Sequence, residues 1–247
     1  MKNVVEEIKR KKTSSLPNSI IERVAGLVKN DVKESRALLR KYFGVFLTNR
    51  VLKSKGSADE ILKMHMSSRK RDYEKFYAEI FEGIGNVESI IDLGCGVNGF
   101  SYPYLKEILG EVNYVGIEAV GQLVENMNGY FEEETFSAKV ICADLFEIEQ
   151  VLKILKGQKC PRVILMFQVV DALENLEKNF SKEFLLRISK ECEWIVLSLP
   201  TESLSGRKRF DVQRKWIVDF LKESFIIEKD FVMNGERIIV IKKKTNN

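Results

Sequence analysis

Ser89-Ile90-Ile91-Asp92-Leu93-Gly94-Cys95-Gly96-Val97-Asn98-Gly99-Phe100 is the stretch that decides the fold. It reads as a short buried strand that runs into a glycine-rich turn, and the turn should open a helix at about Ser101. An α/β protein holds a nucleotide-like cofactor at such a turn. Backbone must approach the ligand closely there, and only glycine leaves the room.

Downstream, strand-like and helical runs alternate. The expected order is strand Ser89–Leu93, helix Tyr102–Leu109 closed by Gly110, strand Val112–Glu118, helix Val120–Glu133 and strand Ala138–Asp144. A short helix Val151–Lys156, strand Arg162–Gln168, helix Asn175–Lys190 and strand Trp194–Leu199 follow. Repeated strand–helix units imply a parallel sheet with helices on both faces. The end of the chain breaks the rhythm. A helix over Phe210–Leu221 precedes two β-rich runs, Phe225–Val232 and Arg237–Lys242, around Met233-Asn234-Gly235-Glu236. Asn-Gly between two such runs is the strongest short hairpin signal.

Upstream, residues 1–85 read as helical, with no β pattern among them. Asn18 is placed to cap Ser19–Asn30, with Ile20, Val24, Leu27 and Val28 as the apolar stripe. Asp31 starts a second helix through Tyr42, with Val32, Leu38 and Leu39 inward. Ser57 caps a helix through His65 over Ile61 and Leu62, and Arg69–Phe81 follows with Tyr73, Phe76, Tyr77 and Ile80 on one face. The expected division is a helical accessory domain over residues 1–85 and an α/β domain over residues 86–247.

Composition narrows the partners. The 247 residues are 45% hydrophobic, enough for a sizeable core. No run of about 18 apolar residues exists, so a membrane span is not expected. Met1 to Lys12 is charged and leads into no apolar stretch, so it does not read as a secretory signal. Cys95, Cys142, Cys160 and Cys192 form no C-x-x-C pair and read as reduced thiols of a cytoplasmic protein, with no metal site. The net charge of +4 is uneven: residues 1–85 hold 19 Lys and Arg against 11 Asp and Glu, and residues 86–247 hold 21 against 25. A basic N-terminal region on a near-neutral body points to an anionic partner, or to no more than a solvated helical surface.

Gly94-x-Gly96-x-x-Gly99 alone also fits a dinucleotide fingerprint. The acids at three successive strand ends decide for S-adenosylmethionine. Asp92 sits two residues before Gly94, near the place of a cofactor amine. Glu118 ends the second strand, where a carboxylate takes both ribose hydroxyls. Asp144, with Leu145 beside it, ends the third, where an acid accepts the adenine amino group. The closing hairpin is likewise what Rossmann-like S-adenosylmethionine-dependent methyltransferases look like. The expected fold is therefore a class I methyltransferase, a seven-stranded α/β sheet ending in an antiparallel hairpin.

Three stretches resemble the aminoglycoside-resistance methyltransferases that modify guanine N7 in 16S ribosomal RNA. His65-Met66-Ser67-Ser68-Arg69-Lys70-Arg71, followed by Phe76-Tyr77, is similar to that family's His-x-Ser-Thr-x-x-Arg segment. Ile91-Asp92-Leu93-Gly94-Cys95-Gly96 is generic to the fold. Ser198-Leu199-Pro200-Thr201-Glu202-Ser203-Leu204-Ser205-Gly206-Arg207 is similar to Ser-Phe-Pro-x-x-Ser-Leu-x-Gly-Lys/Arg. The resemblance runs from about Ile61 to the C-terminus. It implies that Arg71 holds the methionine carboxylate, that His65 and Ser67 lie near that pocket, and that Ser203, Gly206 and Arg207 lie beside the target base. The plain alternatives are a packed or helix-surface His65 and an Arg71 paired along its helix with Asp72 or Glu74.

The chain departs from that family on the substrate side. Gln168-Val169-Val170-Asp171 stands where Lys-x-Leu-Pro is usual, Glu202 where a basic residue is usual, and Phe210 where glycine is usual. Ser68 replaces a threonine. The chain thus resembles a divergent relative, with a housekeeping or a resistance role.

Guanine N7 has a lone pair and no proton, so the reaction needs alignment rather than a general base. Cys95, in the cofactor turn, and Cys142, expected in a buried strand, do not suit a nucleophile. Gln168, Ser203, Arg207 and Phe210 are the substrate-side candidates, and Phe167 or Phe210 could stack on a base turned out of its helix. The partner implied is ribosomal RNA or the small subunit, met by a monomer. The alternatives are a methyltransferase acting on tRNA, a small molecule or protein, and a non-catalytic RNA-binding module.

Overall fold

Strand β1 (Ser89–Leu93) is buried at every position, and a strand closed on both faces must sit inside a parallel sheet covered by helices. In a computed structural model of the chain, residues 2–9, 13–43, 56–65, 67–201 and 214–244 are described. Ser203, Arg207 and Phe210 lie outside them, as does the start of the expected helix Phe210–Leu221. β1 is flanked in parallel by β2 (Asn113–Glu118) and β4 (Arg162–Phe167). β3 (Ala138–Cys142) extends the sheet beyond β2, and β5 (Trp194–Pro200) extends it beyond β4. β6 (Phe225–Met233) and β7 (Glu236–Lys243) close it, with β7 antiparallel to β5. The order is β3-β2-β1-β4-β5-β7-β6, the seven-stranded mixed sheet of a class I methyltransferase, as expected. Strand order reverses between β1 and β4, and ligands of open α/β sheets sit at that switch point, outside the carboxyl ends. The β6–β7 turn is Asn234-Gly235, with φ of +56° and +82°, the left-handed pair that a two-residue hairpin needs.

Helices follow from local signals. Among the described residues, α1 (Lys2–Ile8), α2 (Asn18–Leu27) and α3 (Val32–Phe43) precede α4 (Ala58–Met64) and α5 (Tyr73–Phe81). Ser57 caps α4 in a reciprocal box with Glu60. The Asp31 carboxylate accepts from the Glu34 amide at 2.7 Å and starts α3. Tyr73, Phe76, Tyr77 and Ile80 of α5 are buried as the stripe predicts. After β1 come α6 (Tyr102–Leu109), α7 (Gly121–Glu133) and α8 (Ile148–Lys156). Then follow α9 (Val170–Leu176), α10 (Phe180–Ile188) and α11 (Lys215–Ser224).

The boundaries that moved have physical causes. α2 stops at Leu27 because Lys29 and Asn30 take φ of +52° and +64°. Leu27 is 51% exposed and leaves the predicted stripe, and Asn18 is the first helical residue rather than its cap. The segment from Arg69 is a turn up to Asp72, which caps α5 through the Lys75 amide. The expected helix Asn175–Lys190 is two helices broken at Asn179, φ +67°. Glu174 stabilises the break by accepting from the amides of Asn179 at 2.8 Å and Ser181 at 3.0 Å.

The outer edge of β3 is covered by a side chain. Asn128 of α7 donates to the Val140 carbonyl at 2.9 Å and accepts from the Val140 amide at 2.7 Å, so it takes the place of a missing strand. Asn128→Ala leaves both backbone groups without that partner and is expected to cost about 1–3 kcal/mol of stability, read from urea unfolding. A change below about 0.5 kcal/mol would mean that water replaces the amide at no cost.

Candidate active site

The glycine turn after β1 is held from the side of β2. The Gly94 and Cys95 amides both donate to the Ile117 carbonyl, at 2.8 and 3.1 Å. Gly94 has φ +66°, and a Cβ there would lie 2.9 Å from Cγ2 of Val169, so no other residue fits. The Gly96 amide donates to Glu118 Oε2 at 2.8 Å, and the Val120 amide donates to Oε1 at 2.9 Å. Glu118 is buried, and burial raises its pKa even though these amides favour the carboxylate. A carboxylate offers about four lone-pair sites, so acceptor capacity remains beside those amide bonds.

Asp144 lies two residues beyond β3. Its Oδ1 accepts from the Phe146 amide at 3.0 Å, and its buried Oδ2 meets no partner among the described residues. A buried acceptor without a donor is costly and marks a place where a ligand donor fits.

At the other end of the carboxyl edge stands Arg71. Its Nε donates to Glu236 Oε1 at 2.7 Å, its Nη2 to Glu236 Oε2 at 2.9 Å and its Nη1 to Asn98 Oδ1 at 3.3 Å. The rings of Phe76 and Phe167 lie against the guanidinium, 5.0 and 4.8 Å from their centroids. Burial opposes the Arg71 charge, and the Glu236 carboxylate more than offsets it, so the pKa is held above its ordinary value. Arg71 is therefore not paired along its helix with Asp72 or Glu74. His65 is packed: it is buried, with Nδ1 2.7 Å from Ser67 Oγ. Burial, and then Arg71, pull its pKa down to about 4, so the ring is neutral at pH 7.

These residues share one cavity of about 310 Å³, at the lower end of the ligand-pocket range of about 300–1,000 Å³. Of the expected cofactor residues, His65, Ser67, Arg71, Gly94, Cys95, Gly96, Glu118, Asp144, Leu145 and Gln168 line it. Asp92 does not. Asn98 is on the wall instead; Asp92 Oδ2 accepts from Asn98 Nδ2 at 2.7 Å and Tyr114 OH at 2.9 Å, while its buried Oδ1 meets no partner among the described residues. Gln168 takes φ +59° directly after β4, with its amide on Ser198 and its Nε2 donating to the Ser67 carbonyl at 3.3 Å. Ile20 of α2 and Tyr42 and Phe43 of α3 supply apolar wall. The order along the sheet edge is acid, acid, glycine backbone, amide, guanidinium. Such a row can hold a nucleoside that carries an amino-acid tail.

Two further expectations change, for Cys142 and Phe167, and the one for Cys95 holds. Cys142 is exposed, because β3 is an edge strand, and not buried as its run suggested. Cys95 is buried, and burial pushes its thiol pKa well up, so it is inert. The Phe167 ring is already packed on Phe76 and Arg71, which leaves it poorly placed to stack on a base. Sequence reasoning missed Glu236 and Asn98. The Asn-Gly turn held the signal for Glu236, since the residue after it begins β7 and pairs with Pro200 at the carboxyl end of β5. Asp171, at the departure Gln168-Val169-Val170-Asp171, is ion-paired with Arg214, whose Nη1 donates to the Pro200 carbonyl at 2.8 Å.

A family model described as Ribosomal RNA methyltransferase (FmrO) matches residues 10–216. A 16S rRNA (guanine(1405)-N(7))-methyltransferase of Proteus mirabilis is 27% identical over 154 residues, 60% of this chain and 50% of that protein. The chain spans about half the length of the curated relatives it matches. Among solved structures, an rRNA methylase from Escherichia coli superposes with a TM-score of 0.78 at 20% identity, covering 98% of this chain and 99% of that one. The 16S rRNA methyltransferase RmtF in complex with S-adenosyl-L-homocysteine superposes with a TM-score of 0.73 at 16% identity, covering 98% of each. Both likenesses concern the fold.

The buried Asp92 gives a pH test. Burial pushes its carboxyl up to about 6, against the pull of its bonds from Asn98 and Tyr114. Between about pH 4 and 6 the folded protein keeps a proton that the unfolded chain releases, so this residue lowers stability as pH rises through the window. His65 acts with the opposite sign, and comparing two proteins that both carry it removes its contribution. The stability of Asp92→Asn relative to the parent is expected to rise by up to about 3 kcal/mol from pH 4 to pH 7, measured by urea unfolding. A difference independent of pH would give Asp92 an ordinary carboxyl.

Proposed function

Because the chain belongs to the FmrO family of ribosomal RNA methyltransferases, we propose that it transfers a methyl group from S-adenosylmethionine to guanine N7 in small-subunit ribosomal RNA. The observation that carries this reading is the row of Asp144, Glu118, the Gly94–Gly96 backbone and Arg71 around one cavity. The cavity fits the cofactor on its own chemistry. The unpartnered Asp144 Oδ2 suits the adenine amino group, the spare lone pairs of Glu118 suit the ribose hydroxyls, and Arg71 suits the carboxylate.

When bound, S-adenosylmethionine supplies an electrophilic methyl group on a sulfonium centre. The chain then has three tasks. Glu118 and Asp144 fix the nucleoside end by hydrogen bonds. Arg71 fixes the amino-acid end, so that the methyl direction is set between two anchored points. Residues of the β4 and β5 ends, Gln168 among them, shape the side from which guanine approaches. N7 attacks with its own lone pair, and no residue has to remove a proton first. The neutral His65 and the inert Cys95 accord with chemistry that asks for no base or nucleophile.

The substrate side rests on the family resemblance. Ser203 and Arg207 are assigned to the target nucleotide and its phosphate, and Phe210 to stacking on the base. Residues 1–85, with their basic surplus, are assigned to the RNA as an accessory domain. The guanine N7 specificity of the Proteus mirabilis relative supports that target. The enzyme is assigned to the cytoplasm, as a monomer. No helix among the described residues is long and apolar enough to cross a membrane.

The test is transfer of labelled methyl to purified small subunits, large subunits, tRNA and total protein. Label is expected in small-subunit RNA, with borohydride and aniline cleaving the strand at one guanine. Glu118→Ala and Asp144→Ala are each expected to reduce transfer at limiting cofactor about tenfold or more. Label confined to tRNA or protein would discard the ribosomal assignment and keep the cofactor. Absence of label together with measurable S-adenosylmethionine binding would indicate a non-catalytic binding module.

A further inference from the structure

The tip of the β6–β7 hairpin grips the chain around Arg71. Glu236 is the residue that follows the Asn234-Gly235 turn, and it is buried. Its two oxygens take Nε and Nη2 of Arg71 side-on, at 2.7 and 2.9 Å. Oε2 also accepts from the hydroxyl of Ser198 on β5. Asn234, in the amide orientation that satisfies both its groups, donates to the Lys70 carbonyl at 3.2 Å and accepts from the Asp72 amide at 3.3 Å. The backbone on either side of Arg71 is thus held as well as its side chain. Gly235 completes the tip: its carbonyl accepts from both the amide and the hydroxyl of Thr201, each at 2.9 Å. Ser198 and Thr201 belong to the segment that leads from β5 into the substrate-side motif.

Stability alone does not explain this pair. Arg71 and Glu236 keep only 3% and 4% of their side-chain surface exposed. Two charges removed from water so completely stabilise a fold no better than an apolar pair of the same size. What a bidentate pair adds is direction. Glu236 takes the Nε–Nη2 edge of the guanidinium side-on, and Asn98 accepts from Nη1. The end-on edge, between Nη1 and Nη2, is a different edge from the one Glu236 holds, and it is an edge that suits a second carboxylate.

We infer that Glu236 is a positioning residue, which aims Arg71 at the carboxylate of the cofactor and links that anchor through Ser198 and Thr201 to the root of the substrate-side segment. The inference rests on the assignment of the cavity to S-adenosylmethionine. Glu236 itself lies behind Arg71 and is not on the cavity wall.

Two ligands separate aiming from mere support of the fold. S-adenosylhomocysteine carries the amino-acid end, and 5′-deoxy-5′-methylthioadenosine keeps the nucleoside and the thioether without it. In calorimetric titrations of the full chain, Glu236→Gln is expected to weaken S-adenosylhomocysteine at least about tenfold and to change methylthioadenosine less than about twofold. Glu236→Asp, which restores the charge, is expected to recover part of the loss. Asn234→Gly keeps the positive φ and removes only the side-chain bonds to Lys70 and Asp72. It provides the same comparison if Glu236→Gln does not fold, with an expected loss of about threefold for S-adenosylhomocysteine alone. Equal weakening of both ligands, or no weakening of either, would overturn the aiming role. A parent protein that binds neither ligand would instead overturn the cofactor assignment, and this proposal with it.

Discussion

A carboxylate taken out of water must find donors, and the site is organised around four that have been. Asp92, Glu118, Asp144 and Glu236 are all buried at the carboxyl end of the sheet. Each is settled differently. Glu118 is held by backbone amides of the glycine turn and of the start of α7, so the acid that faces the cavity also fixes the turn. Glu236 is neutralised by Arg71, and the pair is the only one of the four solutions that brings a full positive charge into the wall. Asp92 takes two neutral donors on Oδ2, keeps a buried Oδ1 that meets no partner among the described residues, and stays high in pKa. Asp144 is left half satisfied. Asp92 and Asp144 each keep one buried oxygen without a donor, and a buried acceptor of that kind has most to gain from a ligand.

The sheet was legible because its signals are local. Alternation of buried runs with amphipathic ones fixed every strand within two residues at either end, and the Asn234-Gly235 turn fixed the hairpin. Acids at strand ends were legible because a strand end has a known place in such a sheet. Positive φ at ordinary residues was not. Lys29, Asn30, Gln168 and Asn179 carry no glycine to announce a left-handed turn, and the four of them mark three places where a predicted helix or strand ended early or broke. Burial at the sheet edge was also illegible: the run around Cys142 is apolar enough for a core strand, and only the strand order reveals that β3 has one open side. Asp92 shows the limit of a motif. Its Oδ2 is taken by Asn98 and Tyr114, and Asn98, which no motif announced, is the residue that lines the cavity there.

The departures from the family resemblance acquire a physical reading where they fall on described residues. Asp171 replaces the proline of the usual pattern, and it gains an ion pair with Arg214. Arg214 follows the substrate-side segment in sequence and also bonds the carbonyl of Pro200, which precedes it. Both feet of that segment are thereby joined to α9, at the end of β4. Where the family pattern has a proline, this chain has a charged tie. A charged tie is directional and sensitive to salt in its exposed part, whereas proline restricts only its own backbone.

Part of the cavity wall belongs to helices that come early in the chain. Ile20 of α2 and Tyr42 and Phe43 of α3 face the same space as the glycine turn, and Arg23 stacks on Phe146 at 4.1 Å from the ring centroid. A molecule that fills the space therefore touches α2 and α3 as well as the sheet. By mass action, whatever binds this closed arrangement holds those helices down. Backbone amides in α2 and α3 then exchange with solvent more slowly in the loaded protein. The helices become a reporter of occupancy. Anything that docks on their outer surface meets a different stiffness before and after the cavity is filled.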